Sequence, residues 1–225
     1  MNEQQIESSG KTSKLLLPVS IIIAGVLIAG ALMYKPGAES EIVPVGDARK
    51  ATLSIDDDAV LGDVNAPVTM IIFGDFQCPF CKQQFDTVES RLREEYVKTG
   101  KLRMVHRDFP LENIHPFATP AAIAAQCAGA QGKYWEYHDA LFEKQSELPK
   151  LDFSQLAGSL QLDTTAFGAC LKNPATAAEV KKDLEDGINL GISGTPASFV
   201  NNVFIEGAYP YDSFKKAIDD ELAKK

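Results

Sequence analysis

The chain has 225 residues, 45% of them hydrophobic, enough for one packed domain with an extension or at most two small domains. It carries 22 basic and 31 acidic residues, a formal net charge of -9, with no Lys/Arg cluster, which argues against nucleic acid as a partner. The four cysteines are an even number, compatible with two disulfides in an exported protein.

Residues 1–14 are polar and read as a short cytoplasmic tail, with Lys11 and Lys14 just before an apolar stretch. Leu15 to Tyr34 is 20 residues without a charge, about 30 Å as a helix, the thickness of a bilayer core. It has no polar face, so it reads as a transmembrane signal anchor. The other reading is a signal peptide cut after Ala29-Gly30-Ala31, which would release the protein; the span is longer than a usual signal core and favours the anchor. Residues 35–54, with Pro36, Gly37, Pro44 and Gly46, read as a linker. The run Ile55-Asp56-Asp57-Asp58 lacks the spacing of a calcium loop and reads as a solvated loop.

Gly62 to Pro67 is a turn signal. Val68 to Phe73 is a nearly unbroken apolar run, which predicts a buried central strand. Directly after it comes Gly74-Asp75-Phe76-Gln77-Cys78-Pro79-Phe80-Cys81, and then a helical pattern with Phe85, Val88, Leu92 and Tyr96 on its apolar face. A Cys-x-x-Cys between a strand and a helix reads as a redox pair. Free N–H groups and a partial positive charge at a helix start stabilise a thiolate, and proline is tolerated in that first turn. Cys78 is therefore expected to be the accessible attacking sulfur and Cys81 the shielded resolving one. Half of a structural zinc site is the competing reading. It needs a second ligand pair at short spacing, which Cys127, Cys170, His106, His115 and His138 do not supply. No metal is expected.

Thr99-Gly100-Lys101 ends the helix, and Leu102 to Phe109 reads as a second strand, parallel to the first. Five helical patterns follow: Thr119–Ala130, Lys133–Lys144, Phe153–Leu160, Thr164–Leu171 and Ala175–Asn189. Tyr134, Trp135 and Tyr137 read as core packing of this region rather than as a groove. Ala197 to Val200 is a third strand, Asn201-Asn202 a tight turn, Val203 to Ile205 a fourth strand, and a final helix runs from Tyr211.

Phe76-x-Cys-Pro-Phe-Cys, joined to the distant Gly194-Thr195-Pro196, resembles the DsbA-like branch of the thioredoxin superfamily, exported thiol-disulfide oxidoreductases. The resemblance covers about residues 55–225. It implies an α/β, thioredoxin-like fold with a helical insert at about 115–190, in which Gln131-Gly132-Lys133-Tyr134-Trp135-Glu136-Tyr137-His138 resembles a recurring family segment. It implies a cis-proline loop at Thr195 and Pro196 that faces the cysteines and pairs with substrate. Protein thiols are the expected substrates, a membrane redox partner the expected recycler, and no cofactor is required. Many such oxidases carry a histidine where this chain has Phe80, so a less oxidising pair is expected. Reductase or isomerase activity stays open, as does a binding module in which the cysteines are incidental. Asp75, three residues before Cys78, reads either as a proton relay or as a turn residue bonding local backbone. The three histidines read as structural, with His115 placed where it could approach the site. In an exported compartment Cys127 and Cys170 are expected to form a structural disulfide; two free buried thiols are the alternative.

Overall fold

The computed structural model describes residues 43–44, 53 and 55–224. The tail at 1–14, the Leu15–Tyr34 span and the linker apart from 43–44 and 53 lie outside the described residues. No helix among the described residues is long and apolar enough to cross a membrane.

Six strands form one mixed sheet: β1 (Val43–Pro44), β2 (Val60–Leu61), β3 (Val68–Gly74), β4 (Leu102–Asp108), β5 (Ala197–Val200) and β6 (Val203–Glu206), in the order β1-β6-β5-β3-β4-β2. β3 and β4 are parallel, in register from Val68 opposite Leu102 to Gly74 opposite Asp108. β5 runs antiparallel to β3, and β6 antiparallel to β5 through a turn in which Asn201 has φ 49°. The strand alternation sorts the core into two layers. Met70 and Ile72 join the cluster that includes Cys78, Cys81, Val88 and Leu92. Ile71 and Phe73 face the other way, onto Val105, Phe109, Leu190, Ile192 and Phe199. The edge strands β1 and β2 have two residues each, too short to show an alternation, and β1 falls within the stretch that reads as a linker.

Between β3 and β4 runs α1 (residues 79–97), in which α-helical Pro79–Gln84 and Ser90–Leu92 alternate with π-helical Phe85–Glu89 and Arg93–Val97. The buried Val88, Leu92 and Tyr96 recur every fourth residue, slightly more than one α turn. The wider π turns keep them on one face.

The insert comprises α2 (Ala118–Gly129), α3 (Tyr134–Glu143), a 3-10 turn (Gln145–Lys150), α4 (Phe153–Ser159), α5 (Thr164–Cys170) and α6 (Pro174–Asn189). Asp152, Asp163 and Asn173 cap α4, α5 and α6 by accepting hydrogen bonds from first-turn N–H groups. α2 buries Ala118, Ala121, Ala122, Ala124, Ala125 and Ala128, whose small side chains let neighbouring helices approach closely. Tyr134, Trp135 and Tyr137 are buried. A Cys127–Cys170 disulfide ties α2 to α5, with Cα atoms 5.6 Å apart. Closing its 43-position loop contributes about 4 kcal/mol in the chain-entropy model. α7 (Tyr211–Leu222) returns to the sheet and buries Phe214, Ala217 and Ile218.

The Asp56–Asp58 run is not wholly solvated. The Asp58 side chain is buried and accepts a hydrogen bond from Arg107 Nε at 2.8 Å. Arg107 is itself buried on β4, so it draws the carboxylate in.

Candidate active site

β3 ends at Gly74, where a Cβ would lie 2.4 Å from His106 Nε2, so a glycine is required for the close approach. The next four residues form a turn closed by the Cys78 N–H donating to Asp75 O at 3.1 Å. Cys78 is the N-cap of α1, with extended backbone (φ -70°, ψ 123°), and Pro79 occupies the first turn. Across the site, the Thr195-Pro196 peptide bond is cis. The Thr195 carbonyl accepts from the Cys78 thiol at 3.4 Å, and the Asp75 N–H points at Cys81 Sγ, also at 3.4 Å. The turn, the helix start and the Thr195 loop thus converge on two reduced cysteines.

Cys78 departs from the sequence expectation in one respect. It is 3% exposed, the same as Cys81. The Thr195 loop lies against its sulfur and takes away the accessibility that a helix start by itself would offer. What separates the two sulfurs is the balance of hydrogen bonding and burial at each. The hydrogen bond from the Cys81 thiol is the largest influence on Cys78, whose pKa is lowered to about 6. Burial works against this shift, and the Thr195 hydroxyl and the N–H groups of Cys81 and Phe80 assist it. Burial pushes the Cys81 thiol well above its ordinary value, and the neighbouring Cys78 adds to the effect. The Thr195 hydroxyl is buried and among the described residues has no other hydrogen-bond partner, leaving it free to donate to a Cys78 thiolate.

Asp75 is buried, and both of its carboxyl oxygens are occupied. Oδ1 accepts from the Gln77 N–H at 2.7 Å; Oδ2 accepts from the Leu111 N–H at 2.9 Å and meets His115 Nδ1 at 2.8 Å. Its side chain therefore braces the turn, while its backbone N–H reaches Cys81. His115 does approach the site, through Asp75. His106 and His138 lie in an aromatic cluster with Phe76 and Phe142.

Two site residues have no local signal in the sequence. Gln77 Oε1 accepts from the Phe117 N–H at 2.7 Å. Gln145 Nε2 donates to the Phe76 and Cys78 carbonyls, both at 2.9 Å. Each is an ordinary glutamine whose partner is remote in the chain. Phe80 is 60% exposed and offers the pair only its backbone.

Cys127 and Cys170 are bonded to one another, which removes them as thiolate ligands for a metal shared with Cys78 and Cys81. Among the described residues one acidic group is close enough to share an ion: Asp56, Asp57 and Glu179. Lys182 Nζ already supplies a cation there, pairing with all three.

A strand-turn-helix carrying two cysteines, faced by a cis-proline loop, is a thioredoxin-like arrangement. A family model described as thioredoxin matches residues 54–220, and the chain belongs to that family. Within it the fold is DsbA-like. The structure of alpha-DsbA1 from Wolbachia pipientis superposes with a TM-score of 0.69 at 26% identity, covering 79% of this chain and 96% of that one. Oxidised BdbD from Bacillus subtilis gives a TM-score of 0.68 at 26% identity, covering 76% and 95%. A probable disulfide bond formation protein D from Bacillus anthracis is 29% identical over 235 aligned positions, covering 95% of this chain and all of that protein. The chain is also 37% identical over 168 residues to a Na(+)/H(+) antiporter NhaA 1 from Salinispora arenicola. It spans about a quarter of the length of that antiporter and its counterpart from Salinispora tropica.

Proposed function

We propose that the protein introduces disulfides into exported polypeptides, with Cys78 and Cys81 as its catalytic residues. The observation that carries this reading is the opposite displacement of the two thiols, Cys78 down to about 6 and Cys81 well up. A substrate thiolate attacks Cys78 of the oxidised pair. The Cys78–Cys81 bond breaks, its electron pair leaves on Cys81, and Cys81 takes up a proton, as its raised pKa favours. A second substrate thiolate then attacks the substrate sulfur of the mixed disulfide and expels Cys78 as a stabilised thiolate. The substrate loses two electrons to form its disulfide, and the protein gains them.

Thr195 and Pro196 form the loop on which an extended substrate pairs through the Thr195 backbone. Phe80 supplies no charge or side-chain hydrogen bond to the thiolate, so the pair is less oxidising than one with a histidine there. Reductase or isomerase chemistry uses the same steps in reverse, with Cys81 resolving the mixed disulfide. Asp75 acts as a brace rather than as a proton relay. The wider arrangement belongs to the same proposal: a cytoplasmic tail at 1–14, a signal anchor at 15–34, a linker at 35–54, and the catalytic domain at 55–225 outside the membrane, reoxidised by a membrane redox partner.

Trapping tests the assignment. Cys81→Ala is expected to accumulate mixed disulfides through Cys78 with reduced, unfolded substrate, and Cys78→Ala to accumulate none. Trapping through Cys81 instead, or equal trapping by both variants, would contradict it.

A further inference from the structure

We propose that Gln145 is a positioning residue for the redox pair, its side-chain amide strapping the helical insert to the turn that presents Cys78. The inference rests on the redox reading of Cys78 and Cys81.

Gln145 opens the 3-10 turn Gln145–Lys150, in the insert. Its Nε2 donates to the Phe76 carbonyl and to the Cys78 carbonyl at 2.9 Å each. Both partners are acceptors, so the amide must present its NH2 end, and that group has one hydrogen for each. The two carbonyls flank Gln77 at the end of the turn that leads into Cys78. One side chain therefore fixes both ends of the step leading into Cys78. The Cys78 carbonyl also accepts the Lys82 N–H at 3.1 Å, the first bond of α1. Gln145 thus holds the residue that must place its sulfur against the free N–H groups of the helix start.

The thiolate gains from the N–H groups of Phe80 and Cys81 only while the Cys78 backbone keeps this orientation. Asp75 and Gln77 brace the other side of the turn through the Leu111 and Phe117 N–H groups, both in the segment leading into α2. Gln145 is the brace from beyond α3. Removing it frees two carbonyls, lets the cap rotate and weakens the thiolate's hydrogen bonds. The thiol form of Cys78 gains relative to the thiolate, and the reduced protein loses part of the stabilisation that makes its disulfide oxidising.

The experiment uses the full chain in glutathione buffers. The protein disulfide and two glutathione thiols exchange with the two protein thiols and one glutathione disulfide. The pH midpoint of the Cys78 thiolate is read from its ultraviolet absorbance. In Gln145→Met, which keeps the length of the side chain and loses both donors, the midpoint is expected to rise by about half a unit to one unit. At neutral pH the ratio of reduced to oxidised protein then falls about three- to fivefold. Gln145→Glu, which turns an acceptor toward two carbonyls, is expected to shift further. Should the Met variant not fold, Gln145→Asn, whose amide is withdrawn by one methylene, carries the same expectation of a raised midpoint.

Gln131 serves as the control. It makes a comparable two-bond bridge to the Asp163 N–H and carbonyl, within the insert. Gln131→Met is expected to lower thermal stability and leave the Cys78 midpoint unmoved. Folded Gln145 variants with wild-type midpoint and wild-type glutathione equilibrium would overturn the inference, as would an equal shift in Gln131→Met. A wild-type protein whose Cys78 and Cys81 do not equilibrate with glutathione would overturn the redox reading, and this inference with it.

Discussion

Asp75 shows how single residues divide the work at the site. Three donors surround its carboxyl group, and none comes from a cysteine. Asp75→Asn replaces one acceptor oxygen with an NH2 that faces the Leu111 N–H or the Gln77 N–H, and an unsatisfied buried donor costs about 1–3 kcal/mol. Chemical denaturation of this variant is expected to show a loss of that size, with the pH midpoint of Cys78 reactivity little changed, because Gln145 still holds the Cys78 carbonyl. A relay would give the opposite pattern, unchanged stability and an altered pH dependence of exchange. The residues with local signatures, Cys78, Cys81, Thr195 and Pro196, were legible because a Cys-x-x-Cys and a Gly-Thr-Pro are contiguous patterns. Gln145 and Gln77 were not, because their role depends on carbonyls and N–H groups that only folding brings near. The exposure of Cys78 was misjudged for the same reason, since a loop more than a hundred residues away covers it.

At the scale of elements, β3, β4 and the helices of the insert were legible from apolar runs and 3.6-residue periodicity. β1 and β2 were too short to read, and the π turns of α1 have no signature beyond a four-residue spacing. The junction of β4, α6 and the loop before β2 was also hidden. There Arg107 donates to Asp58 at 2.8 Å and to Asp186 at 3.2 Å, and lies 3.7 Å from Asp183. Asp183 in turn accepts the Asp108 N–H at 3.0 Å. Asp58 and Asp183 share one buried guanidinium, and among the described residues the buried Asp108 carboxyl accepts only from the neutral Gln126 amide at 2.8 Å, so the network retains protons at neutral pH. Burial is the first cause in each case, raising Asp58 to about 6, Asp108 to about 7 and Asp183 to about 9.

The sign of the linkage follows from proton binding. Between the unfolded value of about 4 and the folded value of about 9, the folded state binds more protons at Asp183, so stability falls as pH rises. Asp183→Asn keeps an oxygen to accept the Asp108 N–H and has no proton to lose. Unfolding measured across this window is expected to show a flatter pH dependence, with the variant gaining on the wild type toward alkaline pH. A variant that keeps the wild-type slope would contradict the account.

Across the whole molecule, the Cys78–Cys81 pair sits where three distant parts of the chain meet: the end of β3, the Thr195-Pro196 loop and the insert. The sheet supplies the strand end and the cis-proline loop, the segment leading into α2 supplies braces through the Leu111 and Phe117 N–H groups, and the insert supplies Gln145. Surface exposure does not distinguish the two cysteines, so the mechanism stands on their unequal acidity, to which the burial of Cys81 contributes most on its side. Alkylation of the reduced protein across a range of pH, with each cysteine followed by mass spectrometry, measures that inequality directly. Cys78 is expected to react with a midpoint near 6, and Cys81 to stay largely unmodified until well above the ordinary thiol range. Equal rates with a shared midpoint near the ordinary thiol value of about 8.5, or an earlier reaction at Cys81, would contradict it.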